Sequence, residues 1–473
     1  MSGLAMRRRC PLLAVALLAG CTLPGPRAAL PPQAELVPPP GWRAELGPEF
    51  GAALPVAARW WRAFGDTQLD ALVERALANN TDIAIAAQRV EEARAAEALS
   101  RAQLLPQING QAAGTGGQTL SPLGTPSRAL SAQPVLAASF DTDLFGRLRL
   151  ANEATRAQLL ASEAAADIVR LAVAAQAASG YVTLRALDQR LAIARDTLAA
   201  RAEALRIARR RYETGYSARL ELRQAEAEYA ATQQLVPAAQ LAIARQENAL
   251  ARLTGDAPRA IARDQPIDRL AQPAIPDGLP ADLLRRRPDL FQAEQALVAA
   301  DRSLDSQRAA MLPNLALTGT AGVALSTALA DPVGLFSAGA SILAPLFDGG
   351  RLRAQEQAAT ARRDQAAIAY RGSALTAFRE VEDALAGVAR SEEQARDFAA
   401  QAAAAAGALE NASARYRAGY SAYIEQLDAQ RNLLSAQLSL VQAQADELTS
   451  FVALYQAMGG GWSAADIAAV NRP

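Results

Sequence analysis

The chain has 473 residues, of which 51% are hydrophobic and 5% aromatic, and its 48 basic side chains balance 48 acidic ones. A net charge of zero gives no electrostatic basis for binding nucleic acid, and the Ala-rich composition favours long helices. The chain has no His and all of its basic residues are Arg, which removes the commonest general base and metal ligand. This narrows the enzymatic options sharply: a secreted hydrolase, the enzymatic alternative, would need an acid pair or a Ser with an unusual base. We expect no enzymatic activity, no cofactor and no metal site.

Residues 1–20 have the pattern of an export signal peptide. Three basic residues, Arg7 to Arg9, precede an apolar stretch that ends in Leu-Ala-Gly-Cys at Cys21. This ending resembles a bacterial lipoprotein cleavage site, which implies cleavage before Cys21 and attachment of palmitate there. Thr22 after the cysteine implies sorting to the outer membrane. An ordinary signal peptide with an incidental Cys is the alternative.

The segment that follows is rich in Pro and predicts an extended tether over residues 21–58. Apolar residues at helical spacing then predict two helices, over 66–79 and 81–105. No run of 18 apolar residues follows the signal, so the sequence predicts no transmembrane helix.

Strands are predicted next, where Gly, Thr, Ser and Pro accumulate. Residues 106–116 and 133–145 are the two strands of a hairpin, and residues 117–131 form its loop. Apolar residues alternate with polar ones from 133 to 145, which indicates a strand with one polar face.

A single helical pattern then runs over residues 146–214, without Pro and with one interior glycine, Gly180. A helix of that length spans about 100 Å at 1.5 Å per residue, which no globular core can bury. The chain returns over residues 216–253, where Pro237 predicts a kink or a local break.

The chain contains an internal duplication. Residues 211–255 recur without a gap at 415–459, 204 residues later, with identity at 14 of 45 positions. Such a period is far longer than the unit of a solenoid, so the sequence predicts two similar halves. The second half repeats the plan with a helix over 288–311, strands over 313–323 and 336–347 around a loop at 325–333, a long helix over 350–418, and a return over 420–458. The predicted domains are the first repeat at 59–255, a connection at 256–285, the second repeat at 286–459 and a tail at 460–473.

Four strands of about 11 residues have the length of tilted membrane strands. They cannot close a barrel alone, because the smallest membrane barrels have about eight strands and lipid-exposed sheet edges do not occur. If the strands enter a membrane, the chain must oligomerise. A dimer would give eight strands and a trimer twelve.

Three motifs carry a family resemblance. They are Leu-Leu-Arg-Arg-Arg-Pro-Asp at 283–289, Phe-Asp-Thr-Asp-Leu-Phe-Gly at 140–146, and Pro-Leu-Phe-Asp-Gly-Gly-Arg at 345–351. Together they resemble the TolC-like outer-membrane factor family, the outer membrane efflux proteins, and most closely its OprM/NodT lipoprotein branch. The resemblance implies a mainly α protein with a β membrane segment. The implied trimer has a 12-stranded outer-membrane β-barrel, continuous with a long periplasmic α-helical barrel and built from internally duplicated protomers.

The same resemblance implies the function. The chain is expected to be the outer-membrane exit duct of a tripartite efflux or secretion system that exports small molecules such as drugs from a Gram-negative bacterium. Its expected partners are two further copies of itself, a periplasmic membrane-fusion adaptor, an inner-membrane pump of the RND type or driven by ATP, and outer-membrane lipid. The alternative is a periplasmic coiled-coil scaffolding lipoprotein without channel activity, which leaves the two matching hairpins unexplained.

Candidate gate residues lie where the long helices turn back. Glu425 and Asp428 are three residues apart and so share one helix face. They match the family's pore-constricting acidic positions, and in a trimer they would form two rings of carboxylates that favour cations. Tyr416 and Glu221 match a Tyr and an acid that join neighbouring helices in the family. In some family members this contact also includes an Arg, which with the Tyr and the acid forms a charge lock between the helices. Ser421 stands at the position of that Arg, so the sequence does not decide whether this protein has the charge lock.

The turns themselves are candidates for contact with the adaptor, and each contains a Gly that can end a helix in the left-handed conformation. The alternatives are ordinary roles: solvated acids, a packed Tyr and good turn formers. The candidate contact residues are Gly215, Tyr216, Ser217, Gly419, Tyr420 and Ser421.

Overall fold

The computed structural model describes residues 29–43, 56–120, 124–275, 280–329 and 331–463. The signal peptide, Cys21 and residues 464–473 of the tail therefore lie outside the described residues. The first half contains α1 (Thr67–Asn79), α2 (Thr81–Ala102), β1 (Gln107–Leu120), β2 (Pro126–Asp141), α3 (Arg147–Glu213), α4 (Arg219–Gln233) and α5 (Leu235–Leu253). The second half contains α6 (Pro280–Arg286), α7 (Pro288–Ala309), β3 (Asn314–Ser326), β4 (Val333–Leu343), α8 (Arg351–Arg417) and α9 (Tyr423–Ala457).

The four strands form one antiparallel sheet in the order β1-β2-β3-β4. Two hairpins, one from each half, meet where β2 pairs with β3, for example at Leu136 opposite Ala321. Strands β1 and β4 are therefore the edges of the sheet. Large apolar side chains on these strands are exposed, among them Ile108 at 70% and Phe336 at 90%.

The prediction of the first hairpin was wrong in its loop, which is much shorter than 117–131. The β1–β2 ladder continues from Gln107 opposite Ser139 to Leu120 opposite Pro126. Backbone pairing needs no apolar side chain, so it extends through Gly and Thr residues that resemble a loop in sequence. Side chains across the ladder add to it, with a 2.7 Å hydroxyl pair between Thr115 and Ser131.

The second hairpin was also misplaced at its ends. Strand β4 begins at Val333 rather than at residue 336, and it ends at Leu343 rather than at residue 347. Pro345 follows two residues later, and a proline has no N–H to donate to a ladder, so pairing stops before it. Strand β3 extends to Ser326, past the predicted end at residue 323.

The two long helices are confirmed, each within one residue of its predicted ends. Helices α3 and α8 both contain 67 residues, and each starts 204 residues from the other's start. The residue that caps each start is an Asp after the strand: Asp143 accepts from the Leu148 backbone N–H at 2.8 Å, and Asp348 accepts from that of Leu352 at 2.8 Å. Both halves thus enter the long helix in the same way.

The return of the first half is broken, as Pro237 predicted. Helix α4 ends at Gln233 and α5 begins at Leu235. Pro237 has no N–H for the carbonyl of Gln233, four residues earlier, so the helical ladder loses a bond there. The second half has no such proline, and α9 runs unbroken for 35 residues. Helix α6 was not predicted and lies at the end of the inter-repeat connection.

The chain divides into two compact units. The first comprises residues 1–36, 89–162 and 292–372, and it contains the sheet. Its Pro-rich segment is held against α8, because Arg371 donates to the Gln33 carbonyl at 3.0 Å and Arg363 to that of Ala29 at 3.3 Å. The described part of the predicted tether is therefore docked on a helix.

The second unit comprises residues 37–88, 163–291 and 373–473. Its core includes Trp60, which is 2% exposed and stacks on Tyr455 at a centroid distance of 5.5 Å. The Asp66 carboxylate caps α1 by accepting from the Leu69 backbone N–H at 2.9 Å, and it also accepts from the Tyr181 hydroxyl at 3.0 Å. A buried carboxylate is stable here because its oxygens are satisfied by donors.

The basic motif before α7 has a structural role. Arg287 is 8% exposed and donates to both oxygens of Asp289 at 2.9 and 2.8 Å. It also donates to Glu380 on α8 at 2.7 Å and to the Ala457 carbonyl at the end of α9 at 2.9 Å. One guanidinium thus joins the start of α7 to two other helices of the second half.

Candidate functional site

The two helix turns have the same backbone geometry. Gly215 and Gly419 lie in the left-handed region, with φ of +76° and +79°. In each turn the N–H of the tyrosine after the glycine bonds back to an arginine carbonyl: Tyr216 to Arg211 at 2.8 Å, and Tyr420 to Arg415 at 2.9 Å. This is the six-to-one bond that closes a helix with a left-handed residue, and it explains why Gly stands at both positions.

Behind the turns, the helical hairpin formed by α3 and α4 packs against the helical hairpin formed by α8 and α9 through a small apolar core. We call this the turn cluster: Leu205, Ala208, Ala225, Tyr416, Tyr423 and Leu427. Tyr416, from the end of α8, is its centre. Its ring lies 5.5 Å from that of Tyr423, and the guanidinium carbon of Arg211 lies 4.3 Å from its centroid. Its hydroxyl donates to the Glu221 carboxylate on α4.

Sequence reasoning paired Tyr416 with Glu221, and the structure brings these two residues together. Ser421 is uncharged, so it does not replace the Arg that some family members have beside this Tyr and acid. A cation is nevertheless present, because Arg211 stacks on Tyr416 from the other repeat. Burial and the Glu221 carboxylate raise the pKa of Tyr416, so the phenol remains a hydrogen-bond donor at physiological pH.

A charged group lies next to the turn cluster, and sequence reasoning missed it. Arg201 on α3 is 2% exposed, with one guanidinium nitrogen 3.3 Å from a Glu228 oxygen and another donating to Gln430. Arg431 on α9 donates to the other Glu228 oxygen, through Nε at 2.9 Å and also through Nη2. We call Arg201, Glu228 and Arg431 the clasp, because it joins α3, α4 and α9.

The environment of the clasp shifts the pKa of both arginines. Burial lowers the pKa of Arg201, against the effect of Glu228. The hydrogen bond to Glu228 raises the pKa of Arg431, which is half exposed. Arg201 lies 27 residues from Glu228 and 230 from Arg431 in sequence, in a helix with many arginines, so no local pattern marks it.

Glu425 and Asp428 lie in the first two turns of α9, on the outside of the turn cluster. Their side chains are 51% and 60% exposed. Their nearest basic partners are distant: Arg415 lies 3.9 Å from Glu425, and Arg431 lies 3.9 Å from Asp428. These weak contacts leave both carboxylates available to other groups.

The predicted adaptor-contact residues divide into two types. Tyr216 and Tyr420 project from the turns, 88% and 81% exposed. The hydroxyl oxygens of Ser217 and Ser421 are buried and make no hydrogen bond to the residues that the structure describes. Within those residues, no group of carboxylates could hold a metal ion, and no helix is long and apolar enough to cross a membrane.

Comparison with known proteins gives a consistent result over nearly the whole chain. The profile of the outer membrane efflux protein family matches residues 72–256 and 279–460. The chain is 35% identical over 477 aligned residues to the solvent efflux pump outer membrane protein SrpC of Pseudomonas putida, covering 96% of this chain and 98% of that protein.

Solved structures agree. The outer-membrane channel OprN superposes with a TM-score of 0.84 at 28% identity, covering 93% of this chain and all of that one. The open state of the Neisseria gonorrhoeae MtrE outer membrane channel gives a TM-score of 0.82 at 27% identity, covering 92% of this chain and 98% of that one. The chain therefore belongs to the outer membrane efflux protein family, and it is an outer-membrane efflux channel.

Proposed function

We propose that this protein is the exit duct of a tripartite assembly, in which three copies form one channel that carries small molecules across the periplasm and the outer membrane. The observation that carries the proposal is the four-stranded sheet with two unpaired edges, whose hairpins each lead into a 67-residue helix. A sheet of this kind is incomplete as a membrane structure, and the helices are far longer than a globular domain requires.

The need for several copies follows from the sheet edges. Unpaired N–H and C=O groups along β1 and β4 would each cost several kcal/mol in hydrocarbon, so these edges must pair with other copies. Two copies would give eight strands and three would give twelve, and both numbers reach the minimum of about eight for a membrane barrel; we propose three because the family resemblance implies a trimer. The exposed apolar side chains Ile108, Leu136 and Ile342 suit an outward face toward lipid.

The helical part supplies the periplasmic duct and its gate. We place the two turns at the inner end, where Tyr216 and Tyr420 are exposed and available to a periplasmic adaptor. Glu425 and Asp428 form the two carboxylate rings around the axis of the closed gate. Beside these carboxylate rings, Tyr416 and Glu221 hold the two helical hairpins of one protomer together.

A duct needs no bond chemistry, so we propose no enzymatic role and no cofactor. The energy comes from an inner-membrane pump, of the RND type or driven by ATP, which docks through the adaptor. The name of the solvent efflux relative supports small organic molecules as the cargo. Lipid on Cys21 adds an anchor at the outer membrane beside the barrel.

Export in cells tests this function. The gene is expressed together with a periplasmic adaptor and an inner-membrane pump, in a Gram-negative host that lacks its own efflux duct. We expect lower accumulation of a fluorescent pump substrate and a trimer by native mass spectrometry. The matched control deletes the second β-hairpin, residues 314–343, whose two ends lie opposite each other in the β3–β4 ladder, so that α7 and α8 stay connected while each copy loses two strands; it should abolish both results. A monodisperse monomer that is soluble without detergent would refute the proposal.

A further inference from the structure

One side of the turn cluster is repeated, residue for residue, in the other half of the chain. The side contributed by the first half receives Tyr416 and consists of Leu205, Ala208, Arg211, Glu221 and Ala225. The same residue types stand 204 positions later, at Leu409, Ala412, Arg415, Glu425 and Ala429. Identity at all five positions is far above the level of 14 in 45 over the repeat as a whole.

The repeated surface is unoccupied within one protomer. In the first half, Ala208 and Ala225 are fully buried under Tyr416, whereas Ala412 and Ala429 of the second half are only half-buried. Arg415 and Glu425 are 61% and 51% exposed.

The residue equivalent to Tyr416 is Tyr212, also a tyrosine. Its hydroxyl makes no hydrogen bond to any residue that the structure describes, and the side chain is 40% exposed. In the described part of one protomer, a receiving surface and a tyrosine of the right type are thus both left without a partner.

A second copy of the chain supplies the natural occupant. In the proposed trimer the two repeats alternate around the axis, so the shift that carries the first repeat onto the second also carries the second onto the first repeat of the next subunit. Tyr416 then becomes the partner subunit's Tyr212, while Tyr423 and Leu427 become the partner's Arg219 and the partner's Arg223.

The charges of the two sides are complementary. The receiving surface of the second half carries Asp428 where the first half has Gln224, so it has one more carboxylate opposite two arginines. Arg219 and Arg223 are both exposed in the protomer. Because the two exposed surfaces carry opposite charges, their association is electrostatically favoured.

We propose that the partner subunit's Tyr212 docks on Glu425 between subunits, with the partner's Arg219 and the partner's Arg223 paired to Glu425 and Asp428, and that this contact forms when the gate opens. The inference rests on the proposed trimeric duct. In the closed gate the carboxylates face one another around the axis and repel. In the open gate each is neutralised by the neighbouring subunit.

The clasp explains why the junction between subunits, and not the junction within a protomer, is the one that separates when the gate closes. Arg201, Glu228 and Arg431 have no equivalent in the duplication, because Ala405, Asn432 and Ala227 stand at the corresponding positions. The junction within a protomer therefore has an apolar core and a buried ion pair. The junction between subunits has neither, since two arginines replace Tyr423 and Leu427. A polar junction of exposed charges is weaker and easier to break.

Cysteine crosslinking tests the contact. Tyr212→Cys with Glu425→Cys, in the full-length protein co-expressed in cells with an adaptor and pump so that the gate opens, is treated with a short bis-maleimide crosslinker. We expect covalent dimers and trimers on a denaturing gel. Tyr416→Cys with Glu221→Cys is the matched control, which should link within one chain and give no dimer. Absence of dimers in the first variant, while it still forms a conducting trimer, overturns this inference alone. Absence of both trimer and conductance overturns the proposed duct and this contact with it.

Charge exchange tests the pairing and its link to opening. Arg219→Glu with Arg223→Glu should lower the open probability in planar bilayers about tenfold or more, because six weak ion pairs become repulsive together. Adding Glu425→Arg and Asp428→Arg to that variant should restore the open probability to within about threefold of wild type.

The control places the same charge change nearby. Arg209→Glu with Arg210→Glu alters two exposed arginines of α3 whose equivalents are uncharged, and it should leave the open probability unchanged. Failure of the fourfold variant to recover, in a protein that remains trimeric, overturns the pairing. An equal loss of open probability in the Arg209→Glu with Arg210→Glu variant would also overturn the pairing.

Discussion

Removing the clasp carboxylate should loosen the turn region far more than removing its exposed arginine. Glu228→Ala leaves the Arg201 guanidinium, 2% exposed, without its counter-charge. Breaking a buried ion pair by removing one partner costs about 3–5 kcal/mol. Arg431→Ala removes an arginine that is 53% exposed, and an exposed pair contributes less than about 1 kcal/mol. The two variants should therefore differ by roughly 3 kcal/mol, a factor of about one hundred.

Hydrogen exchange measured by mass spectrometry resolves this difference locally. We expect peptides from residues 200–233 and 423–435 to exchange about one hundred times faster in Glu228→Ala than in Arg431→Ala. Peptides from α1 should be unchanged in both. Arg201→Met with Glu228→Met should recover most of the protection, because an apolar pair of similar volume replaces the buried ions. Equal exchange in the two single variants would refute the assignment of Arg201 as the buried member of the clasp.

Three further predictions concern the anchor, the gate and the core. Cys21→Ser should abolish labelling with radioactive palmitate while the protein stays in the membrane fraction; label that survives would reject Cys21 as the lipidation site. Glu425→Ala with Asp428→Ala should lose cation preference, because the carboxylates raise the local cation concentration; an unchanged reversal potential would show that they lie outside the pore. Burial and the nearby Glu392 raise the pKa of Glu447 above 4.5, so its ionised form weakens the folded state. Glu447→Gln should therefore raise the thermal midpoint at pH 8, and this gain should shrink as the pH falls toward 4.5; a gain that is independent of pH would contradict that cause.

The long helices could be predicted from the sequence almost to the residue, for a physical reason. Their interiors lack Pro, their ends have Gly in the turn, and their starts follow an Asp that can cap the first turn. These determinants are local and therefore visible in sequence. The break before Pro237 belongs to the same class, since a missing N–H acts on its own helix.

The strand ends and the clasp could not be predicted, because their determinants are not local. The β1–β2 ladder extends through residues 117–120 by backbone bonds that leave no trace in side-chain pattern. Arg201 meets Glu228 and Arg431 only after three helices have packed together. The contact of Tyr416 with Glu221 was expected from the family resemblance alone, and its role in gating remains a prediction.

Single-channel recording in planar bilayers tests the central claim most directly, because conduction separates a duct from a periplasmic scaffold. Purified wild-type protein should give small, cation-selective steps at rest. Tyr416→Phe with Glu221→Ala should enlarge the resting conductance, since it loosens the second helical hairpin against the first and so lets it move toward the neighbouring subunit. A protein that inserts in the bilayer as a trimer but never conducts, with or without these substitutions, would contradict the account.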